Sequence, residues 1–266
     1  MDQYNKDAAT AQQANQPAPQ KPAGPPHDPS DASRSNLDWK SSVLYNGMIA
    51  PLEPYTIRGV IWYQGESDSG QAKLYQINFP AMIADWRKAW GEGNFPFLFV
   101  QIAPCPVWDP GIREAQLLTW KNTPNTAMVV TTDIGSADMH PPHKQLVGER
   151  LALAARSVVY GENAIYYSGP VYEKVDYFGN EATLHFSHVA GKLVAKDGPL
   201  KGFEISGDGK HFVSAKAEIQ GDTVVVSSDQ VQDPQAVRFG WSSVPDDNLF
   251  DQDGLPASPF TTNPEQ

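Results

Sequence analysis

The sequence has a single cysteine, Cys105, among 266 residues, so no disulfide can form within the chain and the count says nothing about redox compartment. Positive charge is scarce: 20 Lys and Arg face 31 Asp and Glu, a net charge of -11. Nucleic acids and anionic lipid surfaces are gripped through basic patches, so neither is expected as a partner. No apolar run approaches the roughly 18 residues that cross a bilayer. The opening, MDQYNKDAAT, has no basic start leading into an apolar stretch, so no signal peptide is visible. Convincing internal repeats are also missing.

What is present is enough apolar material, 40% of residues, for a substantial core. Residues 1–42, with QPAPQKPAGPPHDPSD at their centre, are too polar and proline-rich to offset their own ordering entropy and read as a linker or wrapping segment. Beyond them the character turns globular. TIRGVIWY (56–63), FPFLFVQIAP (95–104) and TAMVVTTDIG (126–135) read as buried strands. Leu74, Ile77, Met82, Ile83, Trp86 and Trp90 recur at helical spacing up to Gly91, IREAQLLTW (112–120) is helical, and KQLVGERLALAARSVVYG closes a last helix on a glycine. Alternating strands and helices over 43–164 predict an α/β layer with a mainly parallel sheet, whose ligands lie beyond the carboxyl ends of its strands. Over 165–266 the period shortens to two, with frequent Gly, Asn and Asp turns, which predicts a smaller antiparallel β domain.

Two polar clusters follow predicted strands. Gln64, Gly65, Glu66, Ser67 and Asp68 end the first, and Asp133, Asp138 and His140 end the third. A histidine beside a carboxylate, near an amide donor, suits acyl transfer: the imidazole takes a proton, the carboxylate orients it, and N–H groups steady the oxyanion. These residues supply no evident nucleophile. Ser67 and Ser69 flank the amide block, but neither sits in the strand-to-helix elbow that exposes a catalytic serine.

LYNGMIAPL, RGVIWYQGESD, FPAMIADWR, FPFLFVQIAP, REAQ, TTDIG and DMHPPHKQLVGERLALAAR, in that order, resemble the sialate O-acetylesterase family, a branch of the SGNH/GDSL hydrolases. GPVYEKV, GPLKGFEI and GLPASPF resemble that family's C-terminal β region. The resemblance runs from about Val43 to the end. It implies part of an SGNH-like three-layer parallel sheet followed by a small β domain, acting on acetyl esters of sugar hydroxyls without cofactor or metal. By the same resemblance Gln64 is the oxyanion-hole amide, His140 the general base, and Gly65 and Glu66 support the loop. Asp138 is the preferred acid partner. The family commonly leaves two residues between this Asp and His, whereas only Met139 intervenes here, so Asp133 stands as the alternative. The family's GQSNM-like serine block and a SWGGTPAEAW-like loop are absent, and the C-terminus carries no displaced copy. The resemblance therefore implies an N-terminally truncated esterase that needs a complementary N-terminal fragment, or else a non-catalytic, carbohydrate-binding remnant. A periplasmic or secreted location follows from the family alone.

The same residues admit other readings. Asp138, His140 and His143 are possible metal donors, but Pro141 and Pro142 break the spacing that would aim both histidines at one ion. His140 also fits a helix entrance, given the two prolines. His185 and His188 alternate along a predicted strand and read as structural. Trp62, Trp86, Trp90, Trp120 and Trp241 are expected to pack in the core, and Trp108, in the loop APCPVWDPG, to border the substrate.

Overall fold

The computed structural model describes residues 42–135 and 142–263. The expected linker over residues 1–42 lies outside them except for Ser42. The chain divides into two units, 1–55 and 56–266. Within the first, residues 42–55 form short helical turns, Tyr45–Ile49 and Ala50–Leu52, with the Tyr45 hydroxyl bonded to Glu53.

The second unit opens with β1 (Val60–Trp62), α1 (Ala72–Trp90), β2 (Phe97–Val100), α2 (Gly111–Asn122), β3 (Thr126–Val129) and α3 (Lys144–Ala154). The strands pair in parallel in the order β1-β2-β3, with Trp62 beside Phe99 and Phe99 beside Met128. β2 and β3 are buried at every position, as expected of parallel strands covered on both faces, which is why they read as unbroken apolar runs. Each strand is shorter than its apolar run, because the ends of the runs leave the ladder to form the loops that carry the polar clusters. On one face Phe97, Phe99 and Met128 meet Tyr75, Phe79 and Ile83 of α1 and Ile112, Ala115 and Leu117 of α2. On the other, Leu98, Val100, Ala127 and Val129 meet Val147 and Ala154 of α3.

Helix α1 follows the predicted spacing. Its buried Tyr75, Phe79, Ile83 and Arg87 recur every four residues, and it stops at Gly91, whose φ of 67° lets its N–H return to the Arg87 carbonyl. Buried Arg87 donates to the Phe95 carbonyl at 2.9 and 3.1 Å and to the Asn125 carbonyl at 2.9 Å, tying the helix end to the entrances of β2 and β3.

From Val171 onward the chain is antiparallel. β4 (Val171–Phe178), β5 (Glu181–Ser187), β6 (Leu193–Ala195), β7 (Phe203–Ser206), β8 (Val213–Ser214), β9 (Lys216–Gln220), β10 (Thr223–Ser227), β11 (Ala236–Phe239), β12 (Leu249–Asp251) and β13 (Phe260–Thr261) form two four-stranded sheets, β4-β5-β10-β9 and β13-β11-β7-β8, and the pair β12-β6. In β10, Val224 and Val226 point inward while their neighbours are half-exposed, the period-two signature of a one-sided sheet. The buried cluster that fills the α1 and α2 side of the parallel sheet continues without interruption into these sheets, through Val171, Phe203, Phe239 and Phe260. Helix α2 is the joint. Gln101 Nε2, at the end of β2, donates both to the Arg113 carbonyl of α2 and to Ser258 Oγ of the β region, at 3.0 and 2.9 Å.

Cys105 lies in this joint, 1% exposed, its backbone N–H on the Ser243 carbonyl. A thiol so enclosed is unreactive while the fold is intact. Ellman's reagent is expected to titrate less than about a tenth of Cys105 in the native protein over the time in which it reacts fully in guanidinium. Rapid native labelling would show the joint opening.

Candidate active site

The Gln64 loop lies at the carboxyl end of β1, and its backbone is held from beneath. The Gln64 carbonyl accepts from Gln116 Nε2 at 3.1 Å and from the Tyr75 hydroxyl at 3.3 Å. Gln116, fully buried on α2, also takes the Ile102 N–H on its Oε1 at 2.9 Å and reaches the Val100 carbonyl at 3.3 Å. One side chain thus fixes the ends of β1 and β2 relative to each other. Gly65 turns here with φ 146° and ψ -11°, and an added Cβ would sit 3.0 Å from Ile102 Cγ2 and 3.1 Å from Gln116 Nε2. A side chain is excluded both by the backbone conformation and by the close approach of α2.

With its backbone fixed, Gln64 directs its amide to Asp68, whose Oδ2 accepts from Nε2 at 2.6 Å. That bond sets the amide's orientation and leaves its second N–H for another acceptor. Glu66 opens the short helical turn Glu66–Gln71 and acts through its charge. Together with burial, which is the larger effect, it pushes the Tyr63 hydroxyl up to about 12. Tyr75 is raised for the same main reason, burial.

Lys144, the first residue of α3, places Nζ 4.6 Å from the centre of the Tyr63 ring, directly before Gln64. Asp133 is engaged elsewhere: both its oxygens accept from Arg150 of α3 at 2.6 Å, and the same guanidinium donates to the Val130 carbonyl. Asp133 therefore pins α3 to the end of β3. Asp138 and His140 lie outside the described residues. Ser69 is buried and Ser67 exposed, and both belong to the Glu66–Gln71 turn.

The sequence left several contributors without a role. Within REAQ, Arg113 is fully buried and bonds the Ser242 carbonyl and, at 3.4 Å, that of Ser243, Glu114 faces a cavity, and Gln116 holds Gln64. REAQ stood out in the sequence as a motif of the resemblance, but its neighbours do not show which groups these side chains meet. Trp108, expected at the substrate, is 5% exposed within the core, in a loop tied to the β region by the Cys105 N–H on the Ser243 carbonyl. Trp241, expected in the core, is half-exposed and lines the cavity beside Glu114. His188 packs edge-on to Trp120 and Tyr167, and burial lowers its pKa, consistent with a structural part. Among the described residues no cluster of metal-binding side chains occurs.

The family profile described as carbohydrate esterase, sialic acid-specific acetylesterase, matches residues 32–157. This span contains both polar clusters. The chain belongs to the sialate O-acetylesterase family. The human sialate O-acetylesterase is 31% identical over 255 aligned residues, covering 83% of this chain and 49% of the human protein. The rat sialate O-acetylesterase is 32% identical over a span covering 83% of this chain and 47% of its own length. A crystal structure of a carbohydrate acetylesterase from Xanthomonas citri superposes with a TM-score of 0.79 at 44% identity, covering 82% of this chain and 53% of that one. The chain thus spans about half the length of these family members.

Proposed function

We propose that the protein is a carbohydrate O-acetylesterase of the SGNH type, hydrolysing acetyl esters on sugar hydroxyls by a Ser-His-Asp mechanism whose serine comes from outside this sequence. The observation that carries this reading is the braced Gln64 amide at the carboxyl end of β1, with the segment after His140 arriving over Tyr63. In the reaction the serine hydroxyl attacks the acetyl carbonyl while His140 takes its proton, and Asp138 orients the imidazole. The Gln64 N–H steadies the oxyanion of the tetrahedral intermediate. His140 then returns the proton to the departing sugar oxygen, and a water, activated by the same histidine, releases acetate and restores the serine. Asp133 has both oxygens committed to Arg150, which favours Asp138 as the acid.

The source of the serine is suggested by the sheet. β1 pairs only with β2 among the described strands, and Ile61 is 67% exposed, although its lateral neighbour Leu98 is 2% exposed. An open edge with an uncovered apolar side chain is a template for another strand. We assign that edge to a complementary N-terminal fragment carrying the serine block.

The test is to mix the chain with the serine-bearing first half of a related esterase and to measure acetate release from an O-acetylated sugar and from p-nitrophenyl acetate. The mixture is expected to hydrolyse both, and His140→Ala in this chain to lower the rate at least about a thousandfold. A mixture that forms the complex without hydrolysis, or hydrolysis indifferent to His140→Ala, overturns the reading. Hydrolysis by this chain alone that depends on His140 would instead place the nucleophile within it.

A further inference from the structure

The loop that follows β2 crosses the carboxyl end of the sheet between the Gln64 loop and the loop after β3. Ile102 closes against Gly65, where an added Cβ would sit 3.0 Å from Ile102 Cγ2, and Pro104 closes against Gly135, where an added Cβ would sit 2.5 Å from Pro104 Cδ. The next residue, Cys105, donates its N–H to the Ser243 carbonyl at 3.1 Å. A segment of the β region is thereby brought to the same end of the sheet as Gln64.

That segment is braced from several sides. Fully buried Arg113 bonds the Ser242 and Ser243 carbonyls, and Lys201 pairs with Asp246 at 2.8 Å. Asp247 lies so close to Gly202 and Gly240 that a Cβ on either would meet it at 2.7 or 2.6 Å. Its carboxyl feels the charges of both Arg113 and Asp133, so this end of the segment also lies near the loop after β3. On the braced surface two apolar side chains face solvent. Val107, in the turn that closes with the Trp108 N–H on the Cys105 carbonyl, is 70% exposed, and Val244, directly after Ser243, is 45% exposed. Cys105 and Trp108 of the same turn are buried.

We propose that Val107 and Val244 form the rim of the hydrolysis site and take the C–H face of the sugar whose acetyl ester is cleaved.

This rests on the esterase reading above and adds the residues that recognise the alcohol side of the ester. Position favours the substrate over a protein partner. The rim follows β2, the middle strand, whereas the complementary fragment is assigned to the open edge of β1. Ligands of parallel sheets lie at this end of the strands. The chemistry agrees: a pyranose presents C–H groups on its face, and burying them against an aliphatic surface needs neither a counter-charge nor a hydrogen bond. Valine is stiff about its one side-chain torsion, and a loop already fixed by Arg113 and Cys105 loses little freedom when a ring settles on it.

The test is kinetic, on the mixture of this chain with the serine-bearing first half of a related esterase. β-D-Xylose tetraacetate is compared with ethyl acetate, whose alcohol is too short to reach the rim. Val107→Ser combined with Val244→Ser is expected to raise KM for the sugar ester about fivefold or more, with its kcat and the kcat/KM for ethyl acetate within about twofold of wild type. Both positions are exposed, so the urea midpoint should not move, and Val107→Leu with Val244→Leu, which keeps the apolar surface, should hold KM near wild type. An unchanged KM for the sugar ester, or an equal loss on both esters, overturns the proposal. So does weaker association of the two halves with KM unaltered, which would make the valines part of the fragment's interface. If the wild-type mixture hydrolyses neither ester, the esterase reading fails separately and the rim is judged by binding. Titration of the same mixture with methyl β-D-xylopyranoside is then expected to shift the Val107 and Val244 methyl NMR signals saturably, and signals that stay in place overturn the proposal.

Discussion

Gly65→Ala is expected to lower the stability of the chain by about 3 kcal/mol, read as a fall in the urea midpoint with an unchanged slope. Two independent costs combine. The backbone at φ 146° is one that residues with a Cβ rarely adopt, and the added atom would meet Ile102 Cγ2 at 3.0 Å and Gln116 Nε2 at 3.1 Å. Relief by shifting Gln116 is itself damaging. That amide holds the Gln64 carbonyl, the Ile102 N–H and the Val100 carbonyl together, and displacing it leaves buried backbone groups unpaired. The same substitution should disable any oxyanion-holding role of Gln64, because the amide is aimed by the backbone that Gly65 turns. A midpoint within experimental error of wild type would show that the loop is not held as described.

Glu114→Gln is expected to act in the opposite direction, and only where the pH is high enough. Burial raises the carboxyl from its ordinary 4.5 to about 8 in the folded chain. Below the ordinary value the group is protonated in both states and costs nothing through ionisation. Between the two values the unfolded chain ionises it while the folded chain keeps the proton, so the folded state binds more protons and stability falls as pH rises. Above about 8 the loss is complete, roughly 5 kcal/mol at most. Asp247, pushed up to about 7 mainly by burial, adds a loss of the same sign. The wild type should therefore become steadily easier to unfold in urea from pH 5 to pH 9, and Glu114→Gln should remove much of that slope, leaving the variant the more stable at pH 9. Parallel pH dependences for the two proteins would mean that Glu114 is ionised in the native state.

Much of the candidate site could be read along the chain because it obeys local rules. Gln64, Gly65 and Glu66 follow a run of β-favouring residues, and strand ends in parallel sheets are where loops gather. The spacing of Tyr75, Phe79 and Ile83 identifies a helix with one buried side, and Gly91 ends it by the left-handed turn that glycine permits. The two tryptophans show where such reading stops. Trp108 has loop neighbours and is buried, while Trp241 has core-like neighbours and lines a cavity. Whether an aromatic packs or faces outward depends on what another part of the chain lays over it, and neither covering segment is near in sequence. Asp133 is a similar case. Its place at a strand end suggested a catalytic partner, and only the arrival of Arg150 on α3 commits both its oxygens elsewhere.

By itself the sequence determined the α/β layer and the antiparallel sheets after it, through periodicity, and the place of the Gln64 loop and of Asp133, through the ends of the apolar runs. It also determined the family, through motifs kept in order. Only the tertiary structure decided that Gln116 braces Gln64, that Arg113 joins the parallel layer to Ser242 and Ser243, and that Glu114 is a buried carboxyl with an oxygen lacking a partner. The reason is physical. Strand and helix follow from neighbours a few residues apart, whereas hydrogen-bond satisfaction and burial are set by groups 50 to 130 positions away, and nothing in local spacing records which of them will meet.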